Sequence, residues 1–175
     1  MKLRIEKYGI RLRLVEIEDA KFILSLRNNP KLNKYLSPTS SDINLQIEWL
    51  QKYKIREKNN EEFYFIAEDE PGNKFGTTRI YNIHDSGFEA GSWIFLDSSP
   101  DDMAIKADII SREFGFEFLK AEYCRYEVLK KNKSVLRYQS GYKPTLINED
   151  DLKLYYTLSK DAFILHKNRL LKLLN

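Results

Sequence analysis

One stretch of the sequence has the layout of an anion site at a helix start. Residues 95–119, FLDSSPDDMAIKADIISREFGFEFL, indicate the end of a strand, a short turn and a long helix. The first amides of a helix lack partners within it and carry the positive end of its dipole, so they attract phosphate groups. The turn itself holds Asp101 and Asp102 and has no glycine or basic residue. Serine at an N-cap position (Ser99), followed by Pro100 and Asp102, equally suits a helix that caps itself. A diphosphate site and a self-capped helix end both stay open.

Two arginines and one histidine are further candidates for binding or proton transfer. A planar guanidinium binds two oxygens of a phosphate or carboxylate at once, so Arg27 and Arg79 suit an anionic ligand. Surface ion pairs are the alternative for both. An imidazole exchanges protons near neutral pH, so His84 in the loop NIHDSG is a candidate base, with a solvated loop histidine as the alternative. The aromatic content (11 Tyr, 10 Phe, 2 Trp) suits stacking on a sugar or nucleobase as well as core packing.

The composition excludes several classes of function. A chain of 175 residues fits one domain, which we assign to residues 1–175. Lys+Arg of 29 against Asp+Glu of 26 gives a net charge of +3, too balanced to predict a nucleic-acid partner. The single cysteine, Cys124, excludes an internal disulfide and a cysteine-rich metal site, and its position in EYCRYEVL predicts a buried strand thiol. No long apolar run is present, so we expect a cytoplasmic protein with no integral membrane contact.

Hydrophobic periodicity predicts alternating helices and strands, and therefore a mixed α/β class. The predicted order is one strand, two helices, three strands, a helix, a strand, a helix, two strands and a closing helix. In sequence these are GIRLRLVE, residues 16–28, residues 42–58, two strands within EEFYFIAEDEPGNKFGTTRIYNIHDSG, FEAGSWIFL, the helix of the first stretch, EYCRYEVL, a short helix from about Asn132, two strands within GYKPTLINEDDLKLYYTL, and SKDAFILHKNRLLKLLN.

Several phrases in this order resemble the GCN5-related N-acetyltransferases, particularly the branch of ribosomal-protein and amino-sugar acetyltransferases. They are LRNNPKLNKYLSP, EWLQ, FGTTRIYNI followed by EAGSWIF, and FEFLKAEYCRYEVLKKNKSV followed by GY. Together they extend from about Arg11 to Leu158. The resemblance implies an α/β (α+β) fold with a mixed, mostly antiparallel and splayed sheet flanked by helices.

The resemblance also implies a binding site for acetyl-CoA between the EAGSWIF and EYCRYEVL strands. Its pantetheine would form hydrogen bonds with the backbone of a bulged strand, and such a bulge would explain why a glycine, Gly91, occurs inside this strand. Its diphosphate would bind the backbone amides at the start of the next helix. The implied cofactor-binding residues are Ile94, Phe95, Leu96, Met103, Ala104, Ile105 and Asn132. The chain departs from the family at this helix, because SSPDDMAIK replaces the usual glycine-rich turn that carries a basic residue or glutamine.

Acetyl transfer to an amine needs a group that takes the proton of the amine and an acid that protonates the leaving thiolate. By resemblance, Tyr138 is the acid, six residues after Asn132 where the family has about seven, with a core aromatic as the alternative. Glu89 is the implied base, with a solvent-exposed acid at a strand end as the alternative. The implied substrate residues are Arg27, Asn28, Tyr35, Arg79 and His84, and no metal ligand is expected.

We therefore expect an acetyl-CoA-dependent N-acetyltransferase whose acceptor is a small-molecule amine. The preferred acceptor is a nucleotide-linked amino sugar of surface-polysaccharide synthesis, and the alternatives are a protein N-terminus or a polyamine. A degenerate, non-catalytic binding module is a third hypothesis, motivated by the missing glycine turn. The basic amphipathic closing helix suggests packing on its own sheet or on a second subunit, hence a possible homodimer, with a membrane surface as the alternative.

Overall fold

The computed structural model describes residues 3–84 and 86–174, and within them it has eight strands and five α-helices. In chain order they are β1 (Arg4–Lys7), β2 (Ile10–Leu14), α1 (Ala20–Arg27), α2 (Ile43–Lys58), β3 (Phe63–Glu68), β4 (Lys74–His84), β5 (Gly87–Phe95), α3 (Met103–Glu113), β6 (Tyr123–Leu129), α4 (Lys133–Ser140), β7 (Thr145–Glu149), β8 (Lys153–Ser159) and α5 (Lys160–Leu173). Short 3-10 turns at Ile17–Asp19 and Asn33–Tyr35 flank α1, and a π-helical turn, Phe114–Phe118, continues α3.

The strands form an open, mostly antiparallel sheet, as the predicted fold class requires. Its order is β1-β2-β3-β4-β5-β6-β8-β7. β5 and β6 pair in parallel over the residues Gly87–Glu89 and Tyr123–Arg125. β6 then pairs antiparallel with β8 along its whole length. The mixed sheet with helices between its strands confirms the α/β prediction.

The chain divides into two compact units. The first unit comprises Met1–Tyr81 and Ser92–Ser111, and the second comprises Asn82–Gly91 and Arg112–Asn175. The chain passes from one unit to the other three times, inside β4, inside β5 and inside α3. At the two passages within strands the first residue of the new segment has a left-handed backbone, with φ of 46° at Asn82 and 49° at Ser92. Few non-glycine residues adopt this conformation, and within a strand it interrupts the regular ladder.

Aromatic residues join helix to sheet in the core of the first unit. Tyr53 of α2 and Tyr64 of β3 are buried and pack edge to face at 6.0 Å. The Tyr53 hydroxyl accepts the backbone N–H of Tyr64 at 2.9 Å and donates to the buried Glu57 carboxylate at 2.5 Å. Burying a phenol requires such partners, since an unpaired hydroxyl would lose its hydration without compensation. These bonds fix the register of α2 on the sheet.

A row of aromatic rings forms the core of the second unit. Phe88 of β5 contacts Phe116 at 5.3 Å, Phe116 contacts Phe163 of α5 at 5.0 Å, and Phe163 stacks on Tyr142 at 6.0 Å. Cys124 of β6 lies in register with Phe88 on one side and Leu158 on the other. All of these side chains are buried, and the predicted buried thiol at Cys124 is confirmed.

Several elements differ from the sequence prediction. β1, with the polar sequence RIEK, pairs with β2 although its pattern gave no strand signal. α1 begins at Ala20 rather than Glu16, because residues 17–19 form a tighter 3-10 turn. His84 ends β4 instead of lying in a loop. The left-handed residue of β5 is Ser92, next to the predicted bulge glycine, Gly91.

Candidate active site

A cavity of about 320 Å³ opens in the first unit. Residues of α1, of the segment that follows it, and of α2, β3, β4 and β5 line this cavity. Those with functional groups are Arg27, Thr39, Ser40, Gln46, Trp49, Tyr64, Arg79 and Ser92. Its size is within the range of small-molecule sites, which combine apolar walls with a few placed polar groups. We call it the arginine cavity.

Arg27 reaches the arginine cavity from the last turn of α1. Its Nε donates to Thr39 Oγ1 at 2.6 Å, and its Nη2 donates to the Ser37 carbonyl at 3.3 Å. These bonds tie the end of α1 to the segment that leads into α2. A half-buried guanidinium held in this way keeps its positive charge and retains further N–H donors for a ligand.

Arg79 enters the same cavity from β4 and is held on three sides. Its Nε donates to Oε1 of Glu62. Its guanidinium carbon lies 5.1 Å from the Trp49 ring centroid and 4.7 Å from that of Tyr81. Glu62 is only 3% exposed, and its other oxygen accepts from Arg56 Nε at 2.7 Å. One buried carboxylate therefore joins two arginines.

Tyr64 of β3 is a buried residue that also lines the cavity. Burial raises the pKa of Tyr64, although a hydrogen bond with Thr77 and the charges of Arg27 and Arg79 act in the opposite direction. The phenol is therefore neutral at physiological pH. Thr77 in turn donates from Oγ1 to the Ser92 carbonyl at 2.8 Å, which links the wall to the left-handed residue of β5.

The predicted diphosphate site at α3 differs in detail from the sequence interpretation. The helix begins at Met103, so Ser99 is not its N-cap, and the Ser99 hydroxyl donates to the Leu96 carbonyl at 2.6 Å. The Asp102 carboxylate pairs with Lys106 Nζ at 2.6 Å, one turn into the helix. The negative charge of Asp102 is therefore compensated. This pairing makes the turn more compatible with a diphosphate than its sequence indicates.

The predicted donor-binding residues of the first unit lie close together along the chain. Ile94, Phe95 and Leu96 are at the end of β5 and just beyond it, and Met103, Ala104 and Ile105 form the first turn of α3. The Trp93 indole donates to the Ala104 carbonyl at 2.9 Å and thereby joins the strand to the helix. Strand backbone and helix amides are the groups that amide and phosphate ligands require, so these residues fit the donor that the resemblance implies.

The other predicted residues of the transfer chemistry lie in the second unit. Asn132 is the N-cap of α4, and its Oδ1 accepts from the Val135 amide at 3.4 Å. Tyr138 lies on α4 with its hydroxyl 3.1 Å from the hydroxyl of Tyr142. Glu89 is half-buried within β5, in register with Arg125 of β6. The predicted roles of Tyr138, Glu89 and Asn132 therefore remain proposals.

Of the five predicted substrate residues, two line the arginine cavity, and these are Arg27 and Arg79. Asn28 caps the C-terminus of α1 and Tyr35 ends the second 3-10 turn, and neither lines the cavity. His84 belongs to the second unit, is exposed, and has its ring 5.7 Å from that of Tyr123.

Sequence reasoning missed three groups of the cavity region: Trp49, Tyr64 and Glu62. Trp49 matched the apolar stripe of α2, and Tyr64 matched a buried strand, so both suggested core packing. Glu62 precedes β3 without any local signal, because its partners Arg56 and Arg79 are 6 and 17 residues away.

A family model described as the acetyltransferase (GNAT) domain matches residues 10–139. The chain belongs to the GNAT acetyltransferase family. It is therefore an N-acetyltransferase with acetyl-CoA as its donor. No curated protein sequence matches the chain at a significant level.

Solved GNAT structures give three further comparisons. The chain is 35% identical to FdhC, described as a nucleotide-linked sugar GNAT, over 100% of both chains, with a TM-score of 0.88. It is 15% identical to the ribosomal-protein-S5-alanine acetyltransferase of Vibrio fischeri, over 91% of this chain and 98% of that one, with a TM-score of 0.77. It is 17% identical to the spermidine N-acetyltransferase of Vibrio cholerae in complex with CoA and spermine, over 90% and 99%, with a TM-score of 0.74. At 15% and 17% identity, the similarity to these two acetyltransferases shows a shared fold only.

Residues 3–84 and 86–174 contain neither a helix that could span a membrane nor a metal-binding cluster. Their helices lack the combination of length and apolar composition that a bilayer crossing requires. They also contain no cluster of three His, Cys, Asp or Glu side chains placed to hold a metal ion.

Proposed function

We propose that this N-acetyltransferase moves the acetyl group of acetyl-CoA to the amine of a nucleotide-linked amino sugar. The observation that carries the proposal is the arginine cavity, which has two guanidinium groups, from Arg27 and Arg79, on its walls. A nucleotide-linked sugar brings a diphosphate, and arginine is the side chain best suited to bind its oxygens. Such products serve surface-polysaccharide synthesis, and we place the reaction in the cytoplasm.

The charge of the cavity argues against a polyamine acceptor. Its lining residues, within the described part of the chain, include two arginines and neither aspartate nor glutamate. A polycation would meet two like charges there without a carboxylate to pair with, which is a repulsive arrangement. The similarity to FdhC at 35% identity agrees with the anionic acceptor.

The transfer itself requires the acceptor amine to be neutral when it attacks the acetyl carbonyl. In this proposal Glu89 accepts the proton that the amine releases, and Tyr138 donates a proton to the CoA thiolate as the carbon–sulfur bond breaks. The backbone of Ile94, Phe95 and Leu96 with the first amides of α3 binds the donor, and Asn132 contacts its pantetheine. The products are the N-acetyl sugar nucleotide and free CoA.

The proposal is tested by following CoA release with four amines at equal concentration. These are a nucleoside-diphosphate amino sugar, the same amino sugar without its nucleotide, spermidine, and a peptide with a free N-terminal alanine. We expect turnover to be fastest with the nucleotide-linked sugar and to fall at least tenfold without the diphosphate, because one charge-assisted contact contributes about 1.5–3 kcal/mol.

Faster turnover of spermidine or of the peptide would contradict the proposed acceptor. Calorimetric titration with acetyl-CoA separates a wrong acceptor from an inactive protein. If acetyl-CoA itself does not bind, the non-catalytic binding module becomes the correct interpretation.

A further inference from the structure

We propose that Glu62, Trp49 and Tyr81 hold Arg79 as a preformed fork for a phosphate group of the acceptor, and that Glu62 is the residue that positions this fork. The inference rests on the proposed function, since it names how the acceptor is bound. It assigns a role to Glu62, a residue that neither contacts the ligand nor lines the arginine cavity.

The contacts of Arg79 define which of its edges remains available. Nε is used by Glu62, while the rings of Trp49 and Tyr81 lie within 5.1 and 4.7 Å of the guanidinium carbon. Within the described residues, the two terminal nitrogens of Arg79 have no hydrogen-bond partner. A guanidinium held through Nε keeps its Nη1–Nη2 edge, and this edge matches two oxygens of a phosphate.

Glu62 is itself fixed, which is what a positioning residue requires. It is 3% exposed, and Arg56 Nε binds its second oxygen at 2.7 Å. Arg56 also lies 5.4 Å from the Trp49 ring, so the carboxylate, both arginines and the indole form one packed cluster. A group whose geometry is set before binding loses less conformational freedom when the ligand arrives.

The cluster around Glu62 keeps a net positive charge. Two guanidinium groups share one carboxylate, so Arg56, Arg79 and Glu62 together keep one positive charge. Arg27, on the same cavity, has no carboxylate partner within the described chain, and Thr39 and Ser37 hold it instead. Two guanidinium groups facing one cavity suit a diphosphate better than a single carboxylate.

Calorimetric titration with uridine diphosphate and thymidine diphosphate tests the inference without requiring turnover. Each titration is done with the parent chain and with Glu62→Gln, in the absence and presence of saturating CoA. Glu68→Gln is the matched control, because Glu68, the last residue of β3, is likewise a buried carboxylate and accepts from an arginine Nε, that of Arg13 at 2.6 Å. Arg79→Lys keeps the charge of Arg79 but removes its fork.

We expect the parent to bind a nucleoside diphosphate while CoA is bound, and Glu62→Gln and Arg79→Lys each to weaken this binding about tenfold or more. Glu68→Gln should leave the dissociation constant unchanged. Thermal unfolding of each variant verifies that it is folded, and Arg79→Lys remains informative if Glu62→Gln does not fold.

Opposite results overturn the inference in distinguishable ways. Glu62→Gln removes a negative charge, so tighter or unchanged binding means that Glu62 only neutralises Arg79. Loss of nucleotide binding when CoA is present means that the cavity holds the donor's phosphates. Binding of neither nucleotide by the parent overturns the phosphate assignment. If the nucleotides bind as expected but no amine is acetylated, the proposed function fails while the fork stands.

Discussion

The role proposed for Tyr138, proton donation to the CoA thiolate, depends on its hydroxyl group alone. Its hydroxyl lies 3.1 Å from that of Tyr142, and Tyr142 is 1% exposed and has its ring 5.2 Å from the buried Arg112 guanidinium. Replacing Tyr138 by phenylalanine removes the proton donor and retains the ring. We expect turnover to fall about 10²-fold, typical of losing one proton-transfer group, while acetyl-CoA affinity changes little.

Single-turnover kinetics isolate the chemical step for this comparison. Equal rates for the parent and Tyr138→Phe would remove Tyr138 from the mechanism. Thermal unfolding is the necessary control, because the substitution also changes the partner of the buried Tyr142 hydroxyl.

Asp102 gives a second prediction at the scale of one side chain. Its pairing with Lys106 at 2.6 Å masks a lysine in the first turn of α3, where a diphosphate is proposed to bind. Asp102→Asn removes the negative charge and releases this lysine. We expect acetyl-CoA to bind about 5–30-fold more tightly, from about 1–2 kcal/mol of electrostatic free energy at partly exposed separations.

The salt dependence of the Asp102→Asn effect supplies its control. Added salt screens exposed charges, so the difference between the dissociation constants should shrink as ionic strength rises. Equal constants at low salt would show that the donor's phosphates do not approach this turn.

At the scale of elements, Asp19 joins three parts of the first unit. Its carboxylate accepts two bonds from Arg13 of β2, at 2.7 and 2.9 Å, and one from Lys74 of β4 at 2.6 Å. The backbone N–H of Glu16 donates to it at 2.8 Å, which fixes the 3-10 turn before α1. Burial raises the pKa of Asp19, but these donors outweigh burial and bring the pKa to about 2, below its ordinary 3.8.

A carboxyl whose pKa is lower in the folded state stabilises the fold above its unfolded pKa and loses that contribution as pH falls toward the folded pKa. Asp19→Asn should therefore lower the free energy of unfolding by about 2 kcal/mol at neutral pH. The difference in unfolding free energy between the parent and Asp19→Asn should become smaller as pH falls from about 4 to about 2.

Urea unfolding of both proteins across this pH range measures the effect of Asp19→Asn. Asp151→Asn, at an exposed position between β7 and β8, is the control. A deficit that stays constant with pH would mean that the ionised carboxylate is not the stabilising group.

The elements could be predicted from sequence wherever their signal is local. The apolar stripe of α2 predicted a helix over residues 42–58, and the helix runs from Ile43 to Lys58 with Asp42 as its N-cap. β1 gave no such signal, because its residues are mostly exposed and it is held by pairing with β2.

The candidate site could be predicted only in part for the same reason. Arg27 and Arg79 were found because guanidinium chemistry is visible in the residue type. The role proposed for Glu62 depends on a carboxylate buried between two arginines distant in the chain, which only the tertiary structure brings together. Ser99 was misassigned as a cap because the turn extends to Asp102 before α3 begins.

At the scale of the whole molecule, acetyl-CoA should act as a stabilising ligand. A ligand that binds only the folded chain adds about 2.7 kcal/mol to the free energy of unfolding at a hundredfold excess over its dissociation constant. Chemical denaturation with and without acetyl-CoA measures this gain. CoA lacking the acetyl group should give a similar gain, because the proposed contacts are to its diphosphate and pantetheine. An unchanged denaturation midpoint would favour the non-catalytic module.

The burial of Cys124 has a practical consequence for following the reaction. It is the only cysteine of the chain, it is 0% exposed, and it lies in the middle of the sheet between β5 and β8. An aromatic disulfide reagent that releases a yellow product when it reacts with a thiol can therefore measure the CoA released at each turnover. The buried thiol of the folded enzyme should contribute little to this signal. When the chain unfolds, the same reagent should react with one additional thiol per chain. One assay can thus follow both the acetyl transfer and the fraction of enzyme that stays folded.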